Sequence, residues 1–306
     1  MKALCTKYQK YIVSISLILI LLGILTFIYF KNVGTGREAL SHIAIKSGFE
    51  VLCQETKLAT ECYEEEMRER EILAEAERTA GETKRILNDW QSIPAGTVLD
   101  SKYIDYEQTN RYFTAYEIPD EVFAFINGKS YQENPDVALE DLRYLKVLHY
   151  NFNHELQVGE LIVAKDLQED FIGIFTELYE AEYEIQSLYL PDNYWTGDPT
   201  DTDTASIDVN NSSSFMYRPV TGGSKLSMHS YGRAIDINPQ QNPYVSYRTG
   251  SPVWDHENAN DYIDRTTGLA HMITEEDICY QIFTKYGFEW GGSWEYIKDY
   301  QHFEKE

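Results

Sequence analysis

The sequence predicts an α+β chain: a small, mainly antiparallel sheet flanked by helices, preceded by one membrane-spanning helix and a helical stalk. Three observations carry this. Residues 11–30 form an apolar run of about 20 residues without a charge, long enough to cross a bilayer. Residues 38–90 are rich in Glu, Ala, Arg, Lys and Leu and contain no proline, which is helical composition. Beyond residue 97, short runs with period-two or continuous apolar patterning alternate with helical ones and turn signals, which is the mixture an α+β domain shows.

The order of elements follows from these patterns. Lys2, Lys7 and Lys10 precede the apolar run, which predicts a cytoplasmic tail over 1–10 and a transmembrane signal anchor over 11–30. Phe30-Lys31-Asn32 offers no small-x-small site, so an uncleaved anchor is expected rather than a removed leader. The stalk, 31–96, carries Glu64-Glu65-Glu66-Met67-Arg68-Glu69-Arg70-Glu71, too charged to be buried. Its apolar positions (Leu52, Leu58, Tyr63, Met67, Leu73, Ile86, Leu87) keep no heptad register, so a homodimer through the stalk is permitted but not specified. Cys53 and Cys62, nine positions apart on a helix, lie too far apart for an intrachain disulfide. Ile93-Pro94-Ala95-Gly96 then ends the helix.

The remaining domain, 97–306, opens with an aromatic-rich stretch, 103–125, read as short strands or an aromatic layer on the domain. Residues 141–148 and 160–164 are expected to be two strands around a loop holding Asn151, Asn153 and Gly159. Asp166 with Glu169 looks like a capping box for a helix through Leu167, Phe171, Ile174, Phe175 and Leu178. Residues 183–190 read as a strand and 196–211 as a solvated polar loop. Its Asp198, Asp201, Asp203 and Asp208 lack the Gly and terminal Glu of a calcium loop. After a long polar insertion, 246–271, Thr274 is expected to begin a helix ending at Gly287, with Cys279 a buried free thiol. Segments 288–290 and 301–303 should be strands.

Fifty acidic against twenty-six basic residues leave a net charge of -24, which repels nucleic acid and excludes it as a partner. The chemistry concentrates in two places. Ser227-Met228-His229-Ser230-Tyr231-Gly232-Arg233-Ala234-Ile235-Asp236 and Asp299-Tyr300-Gln301-His302 together offer two imidazoles and two carboxylates, the ligand types of a hydrolytic zinc ion. In Ala234-Ile235-Asp236-Ile237-Asn238 the alternation sends Asp236 to the face opposite Ile235 and Ile237. His229 falls in the entering loop, and Gly232 lets loop and strand aim at one point. A mononuclear catalytic zinc takes three protein ligands and keeps a position for water, so His302 is the expected third. Asp299, three residues earlier, is placed to act as general base and then general acid. His42, His149, His154, His256 and His271 have no partner at ligand spacing.

Ser-x-His-x-x-Gly-x-Ala-x-Asp followed by a C-terminal Asp-x-x-His resembles the zinc peptidases of the D-alanyl-D-alanine carboxypeptidase family, the VanY-like group. Within it the sequence is most similar to the branch of L-alanyl-D-glutamate endopeptidases acting on cell-wall peptides. Asn210 to Arg218, Asp236-Ile237-Asn238-Pro239 with Asn242-Pro243-Tyr244, and Trp290-Gly291-Gly292-Ser293-Trp294 extend the resemblance over roughly 141–304. It implies one Zn2+ held by His229, Asp236 and His302, with Asp299 as acid/base and Arg218 as a cation facing the substrate carbonyl or a carboxylate. Ser227, Tyr231 and Trp294 are the substrate-side candidates. Two departures stand out: other branches carry Glu-x-x-Trp-His where this chain has Asp299-Tyr300-Gln301-His302, and Ser293 replaces an Asp after the paired glycines. The implied protein is a single-pass enzyme of the bacterial cell membrane, its catalytic domain outside, acting on peptidoglycan stem peptides by L-Ala-D-Glu or terminal D-Ala cleavage. The alternative is an inactive wall-binding or scaffolding module on the same stalk.

Overall fold

The computed structural model describes residues 21, 38–220 and 223–306. The expected anchor over 11–30 therefore lies outside the described residues apart from position 21. Among the described residues no helix is long and apolar enough to cross a membrane. The chain divides into two compact units, residues 1–78 and 79–306.

Helix α1 spans Glu38–Asp89. Its part in the first unit is lined with charges at helical spacing: Arg70 pairs with Glu66, Arg78 with Glu75, and Lys57 lies 3.9 Å from Glu61. Cys53 is exposed there. Its last turns, in the second unit, turn amphipathic, and Ile86 with Trp90 is buried in that unit's main core.

The second unit is α+β, as expected, but its described residues hold three small antiparallel sheets. The largest runs β1 (Val98–Leu99), β4 (Leu156–Ala164), β3 (Leu142–Tyr150), β2 (Thr114–Tyr116). β3 and β4 pair from Leu142↔Ala164 to Tyr150↔Leu156. Both faces of β3 are covered, which explains its near-continuous apolar run. Leu145 and Val147 meet helix α3 (Gln168–Glu180) in one cluster, while Leu142 and Tyr144 join Phe215 and Ile126 of helix α2 (Asp120–Ile126) in a second. Cys279 is buried in the first cluster as a free thiol.

Several expectations need correction. Segment 103–125 contributes only β2 as a strand and otherwise forms short turns and α2, while its Tyr112 and Phe113 join the main core as the aromatic-layer alternative expected. Gly159 lies inside β4, opposite Val147, where Leu188 and His149 leave no room for a side chain. The capping box at Asp166 does not form: α3 begins after Leu167 without a side-chain cap, because both Asp166 carboxylate oxygens accept from Arg233. Residues 183–190 form no strand and touch neighbours through isolated bridges at Glu184 and Leu188. Residues 196–211 are not a loop but enclose helix α4 (Pro199–Asp208), whose N-cap Asp198 accepts from Thr200 and Asp201. Helix α5 (Ile278–Lys285) starts at an Asp277 cap rather than at Thr274.

Candidate metal centre and its surroundings

Strands β5 (Ala234–Asp236), β9 (His302–Glu304) and β7 (Glu289–Trp290) form the second sheet in that order. Asp236 and His302 are direct cross-strand partners, as are Ile235 and Phe303 one residue away. Directly opposed residues share a face, so Asp236 and His302 project together while Ile235 and Phe303 enter the core. His229 comes from a 3-10 turn, Met228–Tyr231, that precedes β5. Ser227 opens that turn by accepting the His229 N–H, and Gly232 closes it at φ 65. A Cβ on Gly232 would sit 2.6 Å from the Ala164 backbone nitrogen, so only glycine lets the turn press against the end of β4.

The three side chains are buried, and one ligand atom from each lies within 4.8 Å of the others. His229 Nε2 is 3.2 Å from His302 Nδ1 and 3.3 Å from Asp236 Oδ2, and His302 Nδ1 is 3.0 Å from Asp236 Oδ1. The opposite ring nitrogens are committed outward. His229 Nδ1 donates to the Ser214 carbonyl and His302 Nε2 to Glu304 Oε2, the latter at 3.0 Å. Outer N–H groups so engaged aim the inner nitrogens at one point, as acceptors outside a metal's ligands commonly do. Two imidazole nitrogens and a carboxylate oxygen converging in a buried place are the donor set of one zinc ion.

Electrostatics give the same account. Burial would push Asp236 up, but the imidazoles of His229 and His302 hold it well below the usual carboxylate range. Burial likewise opposes charge on His302, yet its hydrogen bonds to Asp236 and Glu304 raise it to about 10. The buried carboxylate and the two imidazoles thus form a pocket that favours positive charge, which is what a divalent cation would supply.

Asp299 reaches the same region from a separate ribbon. It ends β8 (Ile297–Asp299), which among the described residues pairs only with β6 (Tyr244–Ser246), Tyr244 opposite Asp299. Backbone bonds from Tyr300 to Pro243 and from Ile237 to Gln301 pin the turn between Asp299 and His302. Asp299 Oδ1 is buried without a hydrogen-bond partner. Burial pushes this carboxyl up to about 7; His302 draws it down, Asp236 raises it, and His229 and Arg218 draw it down.

The other sequence candidates separate. Arg218 is buried, but its Nη2 lies 2.6 Å from Asp203 Oδ2, and its Nε has no partner. Asp203 is thus itself buried, not part of a solvated loop. Ser227 is occupied as a cap. Trp294 packs its ring 5.5 Å from the His302 ring. Tyr231 lines a neighbouring cleft of about 560 Å³ with Asp136, Asp141, Lys165, Asp166 and Arg233. Glu304 went unread in the sequence, and Asp203 was read only as an acid of a solvated loop. The first had a signal, since a residue two after His302 on a strand shares its face. For the second, Asp198-Pro199 was a readable helix start.

Comparison with known proteins agrees with the resemblance. Residues 221–305 match the family described as D-alanyl-D-alanine carboxypeptidase. A stretch of 78 residues is 36% identical to the peptidoglycan L-alanyl-D-glutamate endopeptidase CwlK of Bacillus subtilis (strain 168), covering 26% of this chain. The chain spans 38% of the length of that relative. No solved structure matches the chain.

Proposed function

We propose that this chain is a zinc-dependent peptidase of bacterial peptidoglycan, held at the cell membrane by residues 11–30 with its site outside the cytoplasm. The observation that carries the reading is the convergence of His229, Asp236 and His302, with a partnerless Asp299 carboxylate oxygen in the same region. Ligands alone would serve a structural metal; a buried base near neutral pKa is what hydrolysis adds.

Zinc, when bound, supplies a Lewis acid that polarises a peptide carbonyl and makes water nucleophilic near neutral pH. Asp299 takes the proton from the attacking water as the new C–O bond forms. It returns that proton to the departing amine as the C–N bond breaks, so the carboxylate is regenerated. Arg218 offers a fixed positive charge toward the oxygen on which negative charge gathers. His229 and His302 keep their inner nitrogens unprotonated for the metal by donating outward to Ser214 and Glu304. The anchor is supported by the uncharged run and the three lysines before it.

For the scissile bond, similarity to the Bacillus relative favours L-Ala-D-Glu over a terminal D-Ala. Digestion of purified peptidoglycan, followed by mass spectrometry of the muropeptides, tests this. New fragments ending in L-Ala are expected, zinc-dependent and abolished by a chelator. Loss of D-Ala alone would assign a carboxypeptidase. Release of no peptide by zinc-loaded protein would reduce the chain to a wall-binding module.

A further inference from the structure

We infer that Asp203 is a positioning residue: its carboxylate holds the Arg218 guanidinium in one fixed orientation, with its Nε left free, beside the metal-binding turn. The inference rests on the peptidase reading above. Arg218 is 7% exposed and Asp203 8%, so neither orients itself through water. Their contact, Arg218 Nη2 to Asp203 Oδ2 at 2.6 Å, joins α4 to the segment entering the metal-binding turn. A second nitrogen, Nη1, donates to the Pro219 carbonyl at 3.3 Å. The guanidinium is a rigid planar fork, so fixing Nη2 and Nη1 fixes where Nε points.

Nε is buried with no partner. A buried donor left unsatisfied is costly and uncommon, which calls for something to fill the place it faces. Asp299 Oδ1 is a buried acceptor in the same condition, and the Arg218 charge acts on Asp299. One orphan donor and one orphan acceptor, within electrostatic reach of each other and of the ligand cluster, are what a substrate's amide would satisfy. The carbonyl oxygen can accept and the nitrogen side can donate.

The backbone reinforces the placement. Arg218 N–H donates to Ser230 Oγ at 3.0 Å, and Ser230 Oγ–H donates back to the Arg218 carbonyl at 2.7 Å. Ser230 directly follows His229, so the arginine's backbone is tied to the ligand turn while its head is tied to α4. Asp203 is the only acidic side chain recorded in an ion pair with Arg218 among the described residues.

A purely structural counter-ion would affect stability and leave turnover alone, whereas a positioning residue acts on turnover through Arg218. The test is a double-mutant cycle on the full chain, with released peptide from purified peptidoglycan, zinc content and folding measured on each variant. Asp203→Ala is expected to retain zinc, keep KM within about twofold and lose at least about tenfold in kcat, the scale on which misplacing a catalytic group is felt. Asp203→Asn, which keeps an acceptor but not the charge, should lose less. In an Arg218→Ala background both losses should vanish, because the group being positioned is gone. Where Asp203→Ala does not fold, the cycle is run with Asp203→Asn. An equal loss with and without Arg218, or unchanged kcat in a folded variant, overturns the inference alone. Zinc-loaded wild type that releases no peptide overturns the peptidase reading beneath it.

Discussion

In the proposed mechanism Asp299 is the residue that separates an enzyme from a domain that merely holds a metal. It is not among the converging ligands, so Asp299→Ala should leave zinc stoichiometry at one while lowering the cleavage rate about 10²- to 10⁴-fold. Full activity with retained zinc would remove it from the mechanism. Its pH dependence has a definite sign. Burial raises this carboxyl to about 7, and only the ionised form can accept a proton from water. Activity should therefore fall as pH drops through that pKa, and since zinc's charge favours the ionised form, the limb measured in kcat/KM should lie at or below about 7. In the sequence, the nearness of Asp299 to the ligand cluster was legible from its spacing to His302. That its Oδ1 has no partner was not, because burial is set by β6 and the turn at Pro243, far away along the chain.

At the scale of elements, the site is a junction of two ribbons, and a glycine lets them meet. A Cβ on Gly291 would lie 2.7 Å from the Asp299 carbonyl oxygen, 2.8 Å from the Asp299 Cβ and 3.3 Å from the His302 Cβ. Gly291→Ala should thus push the base and a ligand apart together. The expected cost is about 1–3 kcal/mol of stability from overpacking, with at least about a tenfold loss in kcat. Gly81→Ala, in a helix with open space around it, is the control and should stabilise by about 0.5–1 kcal/mol without touching activity. Thermal unfolding and turnover on both variants check this; wild-type activity in Gly291→Ala would mean the ribbons tolerate separation. The paired glycines were visible in the sequence as a motif. Their reason was not, since only the folded chain shows what presses against them.

For the whole molecule, the outstanding expectation is topological. With Lys2, Lys7 and Lys10 inside and residues 11–30 spanning, the native protein should stay in the membrane fraction after a salt wash and keep its N-terminus. Protease added outside intact cells, once the wall is removed, should degrade the domain over 97–306. A mature N-terminus beyond residue 30 would show a secreted protein instead.

What the sequence determined by itself were the features with a local cause. The period-two run through Ile235, Asp236 and Ile237 set which side chains face the site, apolar runs predicted most of β3 and the second half of β4, and the residue types at 229, 236, 299 and 302 named the metal chemistry. Tertiary structure alone decided what depends on partners distant in the chain. It placed Asp236 opposite His302 across β5 and β9, set Glu304 and Ser214 behind the imidazoles, and turned Asp203 from an apparent loop acid into the buried partner of Arg218. A strand's alternation is written in its own backbone geometry, whereas register, burial and ion pairing are properties of two segments at once, and neither segment carries them alone.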